Sequence, residues 1–270
     1  MSVNRQPIPA EMERAVRRKS YYGCVCCGCP IIEYPHIIPY SRVKEHTEEN
    51  LVALCCNCHR DVHSGVISDR RLRQAIKNPY NKQHQYVAHQ FSLGDPTQTY
   101  IDVAGNKCYN TRVVLRVGHT DIIWFELGED NQLLLNAKLY NALGIECAQI
   151  INNSWRALIK DDTWDITYKG GVLVIKSSRN KVDIKLAVKN GVVFFEGEML
   201  IQGKRFLAKK DVLVLGKNQV IMTGNSFTDC GCAVWVDEDS VRIGVTQAVI
   251  NSEIVKGTDK VSKVFKSMKK

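Results

Sequence analysis

At 270 residues, with 44% hydrophobic and 24% charged side chains and only 7 prolines, the chain has room for one or two cores and is neither disordered nor fibrous. No apolar run approaches the roughly 18–20 residues that span a bilayer, and the start MSVNRQPIPAEMER lacks a signal-type apolar segment, so a cytoplasmic protein with no membrane partner is expected. The formal charge of +9 favours an anionic partner, and residues 1–91, with 13 Lys and Arg against 8 Asp and Glu, are the more basic part per residue.

Residues 8–20, IPAEMERAVRRKS, predict a helix opened by Pro9, with Glu11 and Glu13 in its first turn and Arg17, Arg18 and Lys19 in its last. GCVCCGCP and LCCNCH then supply Cys24 with Cys27 and Cys55 with Cys58, two CxxC pairs about thirty residues apart, a spacing that closes a tetrahedral thiolate site around structural Zn²⁺. Seven of the 11 cysteines fall in these two clusters, and in a reducing compartment such clustering points to metal rather than disulfides. Cys26 with Cys29 forms an overlapping CxxC that leaves the register open, and Cys56 sits out of phase.

A helix starting near Cys56 would put His59 and His63 on adjacent turns, an i,i+4 pair suited to a divalent ion. Residues 68–78, SDRRLRQAIKN, predict another helix ended by Asn78-Pro79, with Arg70, Arg71 and Arg73 outward as a solvated face or a phosphate track. The polar stretch 79–100 reads as a linker. From residue 100 to 258, short β-type segments such as TRVVLRV, DIIWFEL and GVVFFEGEMLI, punctuated by Gly, Asn and Asp, predict an all-β domain, either a β-sandwich or a small β-solenoid. A basic tail, 259–270, follows. Cys108, Cys147, Cys230 and Cys232 are expected as buried thiols, and His46, His84, His89 and His119 as surface or core histidines.

Between the two cysteine pairs lies EYPHIIPYSRVKEHTEENLVALCCNCHRDVH: His36 before Ile-Ile-Pro, Asn50-Leu51, a CxxCH ending at His59, and His63 four residues on. This order resembles the HNH endonucleases over roughly residues 5–80. The resemblance implies an α+β chain whose residues 1–90 form a ββα-metal module with a zinc knuckle, PHIIP and NLVALC making its two-stranded ribbon. It implies His36 as general base, Asn50 tying down the loop that carries it, and His59 with His63 holding the catalytic divalent ion. That ion would be Mg²⁺ or Mn²⁺, with Zn²⁺ or Ni²⁺ as further candidates. DNA is the implied partner, with Arg42, Lys44, Arg60, Arg70, Arg71 and Arg73 as contact residues, and the oligomeric state stays open, a homodimer included. Phosphodiester hydrolysis needs a water deprotonated near neutral pH and stabilisation of a departing 3′ oxygen; histidine, with an ordinary pKa near 6.5, suits the first task.

Many family members carry Asp or His just before the base, where this chain has Pro35; Glu33 stands close enough in sequence to substitute as a ligand. The competing reading is a zinc-knuckle nucleic-acid-binding module that does not cleave, and a third is a zinc-stabilised adaptor.

Overall fold

The computed structural model describes residues 6–94, 97–129, 131–216 and 220–246, so the basic tail expected at 259–270 lies outside the described residues. The described elements are mostly β with few helices. In chain order they are α1 (Ala10–Lys19), α2 (Tyr40–Val43), α3 (Cys56–His63), α4 (Asp69–Lys77), α5 (Tyr80–His84), β1 (Tyr86–Gln90), β2 (Tyr100–Val103), β3 (Asn106–Tyr109), β4 (Val113–Val117), β5 (Thr120–Leu127), β6 (Leu133–Tyr140) and β7 (Glu146–Ile151). There follow β8 (Ser154–Leu158), β9 (Asp165–Lys169), β10 (Val172–Ser178), β11 (Lys181–Lys189), β12 (Val192–Ile201), β13 (Lys204–Lys209), β14 (Val212–Leu215), β15 (Val220–Met222), β16 (Ser226–Thr228), β17 (Cys232–Val236) and β18 (Val241–Val245). Among the described residues no helix is long and apolar enough to cross a membrane.

The chain divides into two compact units, one of residues 1–91 and 154–185, the other of 92–153 and 186–270. Residues 154–185, read from sequence as part of the C-terminal β region, therefore group with the N-terminal residues.

In the first unit, α1 buries Val16 against Leu51 and Ala53, with Ile8, Met12, Ile32 and Tyr34 closing the cluster. Residues 33–36 and 51–54 form the expected ribbon only as two antiparallel bridges, Glu33 to Leu54 and His36 to Leu51. Pro35 is the reason: it has no N–H, so it can only accept from Val52 N (3.1 Å) and the ladder stays short. A second core joins Cys24, Val25, Val52, Leu54 and Cys55 to Ile67 and Leu72, which seats α4 beside the knuckle. Ser68 caps α4, its side chain accepting from Arg71 N at 3.4 Å.

The expected linker at 79–100 is a correction. Its first part folds into α5, and YVAHQ becomes β1, paired antiparallel with β8. Polar composition hid this because the buried Asn81, only 3% exposed, makes its contacts far away in sequence.

The β9–β10 hairpin turns at Gly170-Gly171, with φ of +58° and +76° as a two-residue turn of this hand requires. It carries Asp165, whose carboxylate accepts from Arg17 Nε at 3.1 Å and Nη2 at 2.7 Å, while Arg17 Nη1 donates to the Tyr34 hydroxyl at 2.6 Å. Burial pulls the Arg17 pKa down, but hydrogen bonding and charge from Asp165 and Tyr34 outweigh it and leave it raised. The two side chains are 13% and 8% exposed, so removing one partner strands a charge away from water. Asp165→Asn should cost the first unit about 3 kcal/mol, read as a lowered urea midpoint. A neutral result would mean that Arg17 finds water or another acceptor.

In the second unit one sheet runs β7-β6-β5-β4-β17-β18 and the other includes β15-β14-β13-β12, with β2 parallel to β12, β3 beside β2 and β16 parallel to β3. Leu115, Ile123 and Val234 of the first sheet meet Val103, Phe206 and Leu213 of the second around a shared apolar gap. Of the two β architectures expected, this layering departs from a solenoid, in which each coil touches only its sequence neighbours. Here β17 lies beside β4 although Cys232 pairs with the sequence-distant Val113. Asn190-Gly191, with φ of +51° and +77°, reverses the chain from β11 into β12.

Candidate functional site

The knuckle is built on two tight turns. Gly28 N donates to Cys24 O and Cys24 N to Cys29 O, both at 2.8 Å, and Gly28 takes φ +77°. A Cβ at Gly28 would lie 2.3 Å from Asn81 Oδ1, so the position tolerates no side chain. Asn81 Nδ2 donates to Gly28 O and Tyr21 O, each at 3.1 Å, and clamps the turn from α5. The second half-site opens α3, where Cys55 Sγ serves as the N-cap by accepting from Cys58 N at 3.5 Å.

These turns bring the ligand atoms of Cys24, Cys27, Cys55 and Cys58 within 4.8 Å of one another, with Cys27 and Cys55 sulfurs 3.6 Å apart. Tetrahedral thiolates at a Zn–S distance of about 2.3 Å stand about 3.8 Å apart, so the four fit a zinc ion. Among the described residues this is the group of three or more such side chains that could hold a metal. Sulfur–hydrogen donation from Cys26 and Cys27 holds the Cys24 thiol well below its usual range, while burial and the neighbouring Cys24 charge push Cys58 up to about 12. Cys29, of the overlapping pair, turns its sulfur towards Ile31 O at 3.9 Å, and the exposed Cys56 turns towards Asn57 Oδ1. In the second unit Cys108 and Cys232 are pushed up to about 12, chiefly by burial. Cys230 corrects the expectation of a buried thiol: it is half-buried, with Thr228 O as acceptor.

His36, His59 and His63 line one cavity of about 380 Å³. Its floor is Val52, Leu54 and Leu72, and Asp69, Arg73 and Lys77 of α4 stand at its edge. Pro35, the departure from the family pattern, lines it too. Asn50 grips the loop after His36 through both ends of its amide: Oδ1 accepts from Ile38 N at 2.7 Å and Nδ2 donates to Ile38 O at 3.0 Å. Its backbone carbonyl takes Ile37 N at 2.8 Å.

Glu33, weighed from sequence as a ligand, instead places Oε2 at 2.8 Å from His59 Nδ1. A carboxylate accepts, so Nδ1 carries the hydrogen and Nε2 presents its lone pair, the arrangement by which carboxylates orient metal-binding histidines. That Nε2 lies 3.0 Å from His63 Nε2. Two nitrogens bound cis to one ion at about 2.1 Å would be about 3.0 Å apart, so the pair fits a divalent ion.

Of the basic residues expected to meet DNA, Arg73 lines the cavity, and Lys77, which sequence reasoning passed over, stands with it. Arg70 and Arg71 are exposed on α4, Arg60 on α3, and Arg42 and Lys44 around α2. The other omission is His46, expected as an unassigned surface or core histidine. Its Nδ1 lies 3.1 Å from His36 Nε2, and its Nε2 lies 2.8 Å from Gln6 O. Between the two histidines Lys44, in the left-handed region with φ +57°, ends α2. Spacing alone gave no signal for the encounter.

Residues 24–65 match the family model described as HNH endonuclease. A stretch of 36 residues is 50% identical to the type IV methyl-directed restriction enzyme EcoKMcrA of Escherichia coli (strain K12). That similarity spans 13% of this chain and 13% of the relative. No solved structure matches the chain.

Proposed function

From a chain that carries an HNH endonuclease domain at residues 24–65, we propose a metal-dependent endonuclease that hydrolyses DNA phosphodiester bonds. Residues 1–90 supply the nuclease module, with residues 154–185 packed in the same compact unit, and the second unit has a separate role. The observation that carries the reading is the convergence of His36, His59 and His63 on one basic-edged cavity. The short likeness to a methyl-directed enzyme supports the cleavage chemistry and says nothing of methylated DNA.

In this reading Zn²⁺ at Cys24, Cys27, Cys55 and Cys58 is structural. A divalent ion, Mg²⁺ or Mn²⁺ and secondarily Zn²⁺ or Ni²⁺, would bind the Nε2 atoms of His59 and His63 and supply Lewis-acid neutralisation of the departing 3′ oxygen. His36 removes a proton from the attacking water as its oxygen bonds to phosphorus; the bond from phosphorus to the 3′ oxygen breaks, and that oxygen ends protonated by solvent. Asn50 fixes the loop that aims His36, and Glu33 fixes the ring of His59. Arg73 and Lys77 meet the flanking phosphates, and Arg42, Lys44, Arg60, Arg70 and Arg71 extend the basic surface.

Plasmid nicking with and without Mg²⁺ or Mn²⁺ tests this reading. His63→Ala should lose cleavage steeply as Mg²⁺ is lowered and recover in part at high Mn²⁺, which imidazole binds more readily. A defect of equal size at every ion concentration would remove His63 from the ion site.

A further inference from the structure

Resting on the reading of DNA as the partner, we infer that the second unit holds a nucleobase site, a cavity of about 650 Å³ that takes one base bearing an exocyclic amino group. Three segments distant in sequence meet around it. Residues 99–112 bring Tyr100 and Arg112, β5 and the start of β6 bring Phe125, Glu126 and Leu133, and residues 229–231 bring Asp229. Strand pairing assembles them. β2 lies antiparallel to β3 with Tyr100 opposite Tyr109, β16 lies parallel to β3 with Thr228 opposite Tyr109, and Phe125 N donates to Arg112 O at 2.8 Å. The volume falls within the roughly 300–1,000 Å³ of small-ligand sites.

The lining pairs apolar surface with a polar rim, which is what a planar base with a hydrogen-bonding edge requires. Phe125 is buried, Tyr100 and Leu133 are half-buried, and Leu127 beside them is 66% exposed, so apolar surface at the cavity faces water. Tyr109 packs on Tyr100 with centroids 4.6 Å apart and so steadies that ring as a stacking surface. At the rim Trp124 Nε1 donates to Glu126 Oε1 at 2.9 Å, and Asn110 Nδ2 donates to Asp229 Oδ1 at 2.6 Å. Each bond orients a carboxylate, which has about four lone-pair sites and so keeps acceptor capacity for a ligand. A carboxylate only accepts, so the pair selects cytosine, adenine or guanine over thymine, which has no exocyclic amine. Two carboxylates against the one guanidinium of Arg112 disfavour an anion inside the cavity. The group that enters is therefore the uncharged base, with its phosphate left outside near the exposed Arg112.

Uncharged nucleosides test the site apart from both cleavage and phosphate contacts. In saturation-transfer NMR of the full chain without added Mg²⁺, deoxycytidine, deoxyadenosine and deoxyguanosine should bind saturably, and thymidine several-fold more weakly. Tyr100→Ala should weaken binding by roughly 5–150-fold, the worth of one base–aromatic stack. Glu126→Gln, whose amide oxygen still accepts from Trp124, keeps the fold and should cost the amino-bearing nucleosides roughly tenfold and thymidine little. A mismatched duplex carrying 2-aminopurine, itself amino-bearing, separates the two sources of a base. Fluorescence that rises with the wild-type chain and much less with Glu126→Gln marks a base everted from DNA; a flat signal beside saturable nucleoside binding marks a free nucleoside as the ligand. No saturable nucleoside binding, thymidine bound as tightly as the others, or affinities unchanged in both variants would overturn the inference while leaving the nuclease reading intact. Saturable, Glu126-dependent nucleoside binding by a chain that leaves plasmid uncut would instead remove the nuclease reading and leave the site standing.

Discussion

Replacing His36 with alanine should lower DNA cleavage by roughly 10²–10⁴-fold, the range general-base catalysis contributes, while DNA affinity stays unchanged. The change removes the one imidazole in the cavity that is outside the proposed ion pair, and leaves His59, His63, Glu33 and the basic edge in place. Binding of DNA depends on phosphate contacts from Arg and Lys, so its salt dependence should be the same in both proteins. Were wild type and variant both to leave DNA uncut across Mg²⁺ and Mn²⁺ while binding it equally, the chain would be a binding module and His36 a loop residue. Pro35 would then be the first place to look for the lost ligand.

Removing zinc should have the largest effect on stability. Cys24 and Cys55 are themselves core residues, packed with Val25, Val52, Leu54, Ile67 and Leu72, so losing the ion removes the cross-link that ties the two knuckle turns into that core. Structural zinc sites contribute on the order of 10–16 kcal/mol of apparent binding energy at neutral pH, as large as a typical domain's whole stability of about 5–15 kcal/mol. Purified protein should contain about one zinc ion per chain, and a strong chelator should unfold the first unit. Cys58→Ser should lose the ion, and Cys56→Ser, whose sulfur faces Asn57, should keep it. Folded protein free of zinc on elemental analysis would sink the knuckle.

What could be read in advance had local causes. The two CxxC halves, the His59 and His63 spacing and the Asn50-Leu51 pair are each fixed within a few residues, because turns and one helix face impose their geometry directly. What could not be read depends on contacts across the sequence. Glu33 meets His59 26 residues on, and His46 meets His36 from beyond the helix that the left-handed Lys44 ends. Asn81 sat in an apparent linker because its partners, Gly28 O and Tyr21 O, are far upstream. The grouping of residues 154–185 with the N-terminal residues was hidden for the same reason, since no composition shift marks it.

The ion pair of Arg17 with Asp165 spans 148 residues of chain, which makes its formation a matter of synthesis order. A ribosome adding about 5–20 residues per second needs roughly 7–30 s to travel from one to the other. During that interval the helix carrying Arg17 can meet Leu51 and Ala53, and the cysteines can take up zinc, yet the guanidinium waits in solvent. The nascent first unit therefore assembles in two stages, an early one in which its N-terminal residues pack and a late one timed by translation itself.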